Sequence, residues 1–171
     1  ARDNYFGTGL PPQPDNGASW SLMRPLLADP RIKPTAAEIA WTRDAFLDLL
    51  RIRASSTLFR LRGAADVAAR LEFPNTGPAQ LATVLVGHLD GSSYDGANFR
   101  ELLYFVNVDK ITRTLELTAQ RGKAYVLHPV HRAAQAADRR PLQSARYDAA
   151  SGTFEIPPRT AVVWVVEPVA A

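Results

Sequence analysis

The chain has 171 residues, 46% of them hydrophobic and 22% charged, with 20 basic against 17 acidic side chains and a formal net charge of +3. That balance suits one soluble domain, or one domain with an appendage, and supplies enough apolar material for a core. The basic residues are dispersed, Arg139–Arg140 being the only adjacent pair, so neither a nucleic-acid surface nor a nucleic-acid partner is expected. The absence of cysteine excludes disulfides and thiolate-bound zinc. No apolar run approaches the ~20 residues that cross a bilayer, the longest, AVVWVVEPVAA, being broken by Glu167 and Pro168, so no membrane partner is expected. The chain opens on Ala1-Arg2-Asp3 without an initiator methionine or a signal-like segment, and the expectation is a piece of a longer protein.

In chain order, residues 1–29 read as irregular. Three glycines and three prolines fall within the first twenty residues, which opposes both helix and strand. A short helix is expected over SWSLMRPLLA (19–28), bent or ended by Pro25. Asp29-Pro30 and Lys33-Pro34 mark turns. The strongest local signal follows, over Pro34 to Leu61. Thr35 can cap a helix while Glu38, three residues on, reaches back to the cap's own amide. Ile39, Phe46, Leu49, Leu50 and Arg53 then recur at helical spacing, with Arg43, Asp44, Asp48 and Arg51 on the other side. This helix should stop near Ser55-Ser56, whose hydroxyls compete for backbone groups, and its apolar stripe requires a cover.

Beyond Gly63 the apolar residues come in short runs separated by turn chemistry. Strands are expected at Val67–Phe73, Thr83–Leu89, Leu102–Val108, Thr114–Thr118, Lys123–Leu127, Ala145–Tyr147, Thr153–Ile156 and Thr160–Val166. TLELT and TFEIP alternate, placing Leu115, Leu117, Phe154 and Ile156 on one face. ATVLVGHL, ELLYFVNV and TAVVWVV are apolar on both faces, as strands covered on two sides would be. The fold class is therefore mainly β: an antiparallel β-sandwich of about eight strands, one sheet being covered on its outer face by the helical segment before Gly63. The alanine-rich HRAAQAADRR (131–140) suits either a short helix or an exposed crossing.

The side chains able to carry chemistry do not assemble into a catalytic set. His128 and His131 in HPVH lack a third metal ligand, and a surface turn is the simpler expectation. His88, in an apolar run beside Asp90, reads as a partly buried structural histidine. DGSSYDG (90–96) lacks the alternating oxygens and closing glutamate of an EF-hand and reads as a hairpin loop. Gly7–Gly9 lacks the Lys-Ser/Thr of a phosphate loop. Ser55-Ser56 lacks the glycines of a nucleophile elbow. Trp20, Trp41 and Trp164 suit a core or interface better than a sugar platform. No catalytic residue, metal ligand or cofactor site is assigned.

The order DNYFGTGLPP, a helix ending LLRIRASSTLFRL, and a β region closing on FEIPPRTAVVWVVE resembles the C-terminal end of pullulanase-type enzymes, the α-1,6-debranching members of the α-amylase superfamily. The matching positions are Asp3, Asn4, Gly9 and Pro11 in the loop, Leu50, Arg51, Arg53, Ser55, Ser56, Leu58 and Phe59 in the helix tail, and Pro157, Thr160 and Val162 to Val166 at the end. The middle, from Gly87 to Arg146, matches in strand pattern more than in residues. The resemblance implies that residues 1–62 are the terminal loop and last one or two helices of a (β/α)8 barrel, and that residues 63–171 are a C-terminal β-sandwich. It implies an upstream barrel in the same chain as partner, and an α-glucan with α-1,6 linkages (pullulan, limit dextrin, glycogen or starch) as substrate.

The carboxylates that such retaining enzymes use would precede Ala1, so this segment alone is expected to be inactive. Asp3 and Asn4 would hydrogen-bond glucose hydroxyls, with Tyr5, which stands where the family has a second asparagine, bordering the cleft. No cofactor is evident, calcium being a matter for the parent enzyme. The alternative expectation is a non-catalytic carbohydrate-binding or interaction module holding glycan on Tyr94, Phe99 or Tyr147. With the barrel absent, part of the helix stripe should be exposed, or used in a dimer contact.

Overall fold

A computed structural model describes residues 9–168. Eight strands form two antiparallel sheets, as the sequence pattern requires of a β-sandwich. The larger has the order β1-β2-β3-β8-β5, built from Leu71–Glu72, Val84–Asp90, Glu101–Asn107, Thr160–Val166 and Val126–Leu127. The smaller has the order β4-β7-β6, from Arg113–Glu116, Thr153–Ile156 and Arg146–Asp148. Six helices accompany them: α1 (Gln13–Asn16), α2 (Trp20–Ala28), α3 (Ala36–Ala54), α4 (Ala64–Arg70), α5 (Pro129–Arg132) and α6 (Arg140–Ser144).

The chain separates into two compact units, one up to Arg43 and one from Asp44 onward. In the first, the proline-rich stretch expected to be irregular is partly helical. Pro14 lies in the first turn of α1, where the missing N–H would have no helical partner anyway. The helix α2 runs through Pro25 to Ala28 instead of stopping at it. The capping box forms as read. Glu38 Oε2 accepts from the Thr35 amide at 2.7 Å, and the Glu38 amide donates to Thr35 Oγ1 at 3.2 Å.

The second unit holds the sandwich. Period-two alternation sends Val86, Leu103, Phe105, Val162 and Trp164 to one face of the large sheet, where they meet Leu117, Phe154 and Ile156 of the small one. The register explains this. Val86 pairs with Phe105 and Phe105 with Val162 across β2-β3-β8. The opposite face carries Leu89, Leu102, Val163 and Val165, and these pack against Ile52 of α3 and Leu58 just beyond it. The double cover expected for the three apolar strands is therefore present, and the helical segment before Gly63 supplies it.

One expectation needs correction. Val67–Phe73 is not a strand: Ala64–Arg70 is helical and only Leu71–Glu72 pairs, against Leu89 and His88. Four alanines in AADVAAR favour helix more than the apolar density favours strand. Part of the α3 stripe is exposed, as expected. Phe46, Leu49, Leu50 and Ile39 are exposed, while Asp48 and Ile52 turn into the sandwich unit.

Gly87 shows how closely the outer face is built. A β-carbon there would stand 2.1 Å from Cζ of Tyr104, whose ring lies across the strand from the paired position.

Candidate functional site

The residues Asp3, Asn4 and Tyr5, expected to reach substrate, lie outside the described residues. The functional features that the structure does describe are three: a polar joint, a half-buried charge cluster and an apolar surface.

The joint is made by Ser55, Ser56 and Thr57 at the end of α3. Ser55 Oγ donates back to the Ile52 carbonyl at 2.7 Å, which ends the helix as its sequence suggests. Ser56 Oγ, on a residue 1% exposed, donates to the Ala97 carbonyl at 2.5 Å and accepts the Leu58 amide at 3.1 Å. Thr57 donates its amide to the Gly96 carbonyl at 3.0 Å and its hydroxyl to the Asp95 carbonyl at 2.7 Å. Asn98 returns a bond to the Ser55 carbonyl at 2.7 Å. Asp95, Gly96, Ala97 and Asn98 all belong to the β2–β3 loop, which confirms DGSSYDG as a hairpin connection and gives it a role: it is the receptor for the helix tail. Gly96 permits this, with φ +69° and Thr57 Cγ2 only 2.7 Å from where a β-carbon would stand.

His128 and His131 complete the joint from a third direction. They are 1% and 5% exposed, so the surface turn expected for HPVH is wrong. Pro129 opens the short helix α5, and His128 caps it, its Nδ1 accepting the Val130 amide. That bond leaves the proton of the neutral ring on Nε2, which donates to Ser55 Oγ at 2.9 Å. His131 Nε2 accepts the β8 amide of Val163 at 3.1 Å. Burial pushes both imidazoles down to about 4. For His128 the neighbouring His131 and Arg132 add to the effect, whereas Asp138 and Asp48 partly oppose it for His131. These are neutral histidines serving as structural connectors.

Asp48 makes a parallel tie. Its Oδ2 accepts the Ala137 amide at 2.8 Å and its Oδ1 takes Arg51 at 2.6 Å. HRAAQAADRR thus proves to be a crossing between α5 and α6, anchored through Ala136 and Ala137, and not one helix.

The charge cluster centres on Glu101, the first residue of β3, the central strand of the large sheet. Its Oε2 accepts from Lys123 at 2.5 Å, Tyr125 at 2.9 Å and His88 at 3.0 Å. Burial by itself would push the Glu101 carboxyl up, but the bonds from Lys123, His88 and Tyr125 outweigh it and hold the group below its usual range. Tyr125 is pushed well up by burial and by the adjoining carboxylate. His88 is the partly buried structural histidine expected, though its partner is Glu101 and not Asp90. Among the described residues no group of three or more histidine, aspartate and glutamate side chains is arranged to hold a metal.

The aromatic residues considered for glycan are engaged elsewhere. Tyr147 stacks on Phe154 with centroids 4.5 Å apart and donates to the Gln120 carbonyl at 2.6 Å. Phe99 packs edge-on to His128, and the guanidinium of Arg70 covers the Tyr94 ring at 4.6 Å. All three are half-buried, not exposed.

The apolar surface is on α3. Phe46 is 59% exposed, with Leu47, Leu49 and Leu50 beside it, on the side opposite Asp48 and Ile52. Next to Leu49, between α3 and the outer face of the large sheet, lies an apolar cleft of about 430 Å³. Sequence periodicity found this surface, and the resemblance implied that part of it would be exposed.

Comparison with known proteins gives these features a context. Residues 1–167 match the model of the family described as alpha-1,6-glucosidases, pullulanase-type, C-terminal. The chain is 36% identical over 169 residues to the chloroplastic pullulanase 1 of Arabidopsis thaliana, covering 95% of this chain and 17% of that protein. It is 28% identical over 165 residues to the pullulanase of Klebsiella pneumoniae, covering 91% of this chain and 14% of that one. The crystal structure of PulA from Klebsiella oxytoca superposes with a TM-score of 0.77 at 25% identity, over 95% of this chain and 15% of that chain. The chain therefore spans about a sixth of the length of the relatives it matches.

Proposed function

This chain belongs to the C-terminal family of pullulanase-type alpha-1,6-glucosidases, and on that premise we propose that it is the segment on which an upstream catalytic barrel closes. In this proposal residues 1–62 complete the barrel and residues 63–171 form the sandwich that braces it. The carboxylates that cleave α-1,6-glucosidic linkages lie upstream, the substrate is an α-glucan of the kind named for the relatives, and any calcium of the parent enzyme is bound outside this segment.

The observation that carries the proposal is the outward apolar face of α3. Phe46, Leu47, Leu49 and Leu50 form a contiguous exposed surface on a helix whose other side is already fixed to the sandwich through Asp48, Ile52 and Ser55. A helix apolar on its solvent side marks a contact surface, and most of the parent enzyme's length lies outside this chain.

The test uses the complete enzyme. Changing Phe46→Asp and Leu50→Asp together removes two side chains worth roughly 1.5–3 kcal/mol each when covered, and should lower the melting temperature by several degrees. An unchanged melting temperature would overturn the proposal. The described segment alone, incubated with pullulan, should release no maltotriose.

A further inference from the structure

The cleft beside α3 has a chemical character that identifies what covers it. Its floor is the outer face of the large sheet, with Tyr104, Val106 and Ala161, and its walls are Ile52, Leu58 and Leu61. Its lining also includes Arg53, from the last turn of α3, and Arg60, from the 3-10 turn Thr57–Arg60. Both arginines are exposed, and neither has a hydrogen bond or ion pair among the described residues. Five other arginines of this unit are matched by carboxylates, Arg51 by Asp48, Arg113 by Asp109, Arg121 by Glu116, Arg132 by Glu167 and Arg140 by Asp138, while Arg62, Arg100 and Arg159 make no side-chain ion pair among the described residues but do not line the cleft.

An apolar cleft of about 430 Å³ whose lining includes two exposed, unmatched arginines fits a group of apolar side chains accompanied by carboxylates. Arginine suits this task, because its planar fork pairs two-pronged with a carboxylate and is held in place by the cleft walls. The cleft also runs into the exposed face of α3 through Leu49, so one partner surface covers both.

We propose that this cleft receives apolar side chains from the catalytic region preceding residue 1, and that carboxylates beside them pair with Arg53 and Arg60. The occupant belongs to the same enzyme, since about five-sixths of the length of the relatives lies outside this segment. The proposal rests on the docking described above and specifies the chemistry of the partner.

The experiment measures thiol accessibility in the complete enzyme. Val106→Cys places a thiol on the cleft floor, Leu50→Cys places one on the α3 face, and Thr114→Cys, on an exposed strand of the small sheet, is the reference. Labelling by a maleimide is counted against the parent enzyme. The expected result is labelling at least 10-fold slower at 106 than at 114, with that protection lost when Arg53→Glu and Arg60→Glu are added. Protection unaffected by the charge reversals would overturn the carboxylate pairing and leave the docking intact. Rapid labelling at 106 with slow labelling at 50 would show docking on α3 and an empty cleft, overturning the inference alone. Rapid labelling at both positions would overturn the inference and the docking together. Protection that weakens on dilution would assign the cleft to a second copy of the enzyme, and protection removed by detergent would assign it to an apolar small molecule. Either outcome overturns the inference.

Discussion

The Nε2–H of His128 lies 2.9 Å from the hydroxyl of Ser55, which in turn donates to the carbonyl of Ile52. One chain of protons thus runs from the Val130 amide through an imidazole and a serine into the last turn of α3. It joins the helix tail to α5 across a long separation in sequence, and every donor in it has a partner. The direction is set by geometry, because His128 Nδ1 is occupied by an amide donor and cannot itself carry a proton.

Removing one link should be felt at both ends. Ser55→Ala leaves the buried His128 N–H without an acceptor, and such a loss costs about 1–3 kcal/mol. A urea titration of the complete enzyme should show an earlier transition for the region around α3. An unchanged midpoint would mean that water replaces the hydroxyl at no cost.

The same histidines set a pH limit. In the folded chain each stays neutral down to about 4, whereas an unfolded histidine takes its proton near pH 6.5. Between those values the unfolded state binds more protons, so stability is complete above about pH 6.5 and falls as the pH drops toward 4. The slope reaches at most ~1.4 kcal/mol per pH unit for each histidine. Carboxylates held low, such as Glu101, add a loss only below their usual range. Melting temperature followed from pH 7.5 to 4.5 should hold down to about pH 6.5 and decline from there to 4.5. A plateau down to pH 5 would contradict the neutral assignment.

Gly87 has no room for a methyl group. Gly87→Ala sets a β-carbon 2.1 Å from the Tyr104 ring, so the ring must leave the strand or the strands must part. Overpacking of this kind costs about 1–3 kcal/mol. The signature is a destabilised sheet together with a change in the near-ultraviolet tyrosine signal. Destabilisation without that change would place the strain in the backbone instead.

Asn107 is 1% exposed, and its amide donates to the carbonyls of Ile111, Ile156 and Pro157, while its oxygen accepts the Asp109 amide. Asn107→Asp removes both protons and aims a charge at three carbonyl oxygens. The expected loss is at least ~3 kcal/mol at neutral pH, reduced in acid once the carboxyl is protonated. Equal stability of the two proteins at pH 7 would refute the donor role.

Local chemistry made several elements legible. Thr35 and Glu38 announced the start of α3, Ser55 its end, and the apolar strands β2, β3 and β8 were read within a residue or two of their limits. Tertiary information was not legible in the same way. The apolar stripe of α3 has the right period, but periodicity does not say which partner takes it. The nearer partner, the sandwich, takes the side bearing Asp48 and Ile52. HPVH looked like a turn because neither histidine shows from sequence that a backbone amide waits for it. The Glu101 cluster was invisible, since Lys123 and Tyr125 reach it only through the placement of β5 beside β8. As for the residues expected to meet substrate, Asp3, Asn4 and Tyr5 lie outside the described part of the chain.

The pairing of β3 with β8 has a consequence for the order of events on the ribosome. Asn107 meets Thr160 and Glu101 meets Val166, so the middle of the large sheet waits for a strand translated after all the others described. Until then Leu103 and Phe105 have lost one neighbour on the sheet, and β5 has none to pair with. Pairings this distant in sequence close slowly, and a nascent chain halted before Thr160 would present the sticky inner faces of both sheets at once. Synthesis of β8 and burial of the core are therefore a single late event, and a chain that lacks Thr160–Val166 loses the pairing of β3 and β5 together.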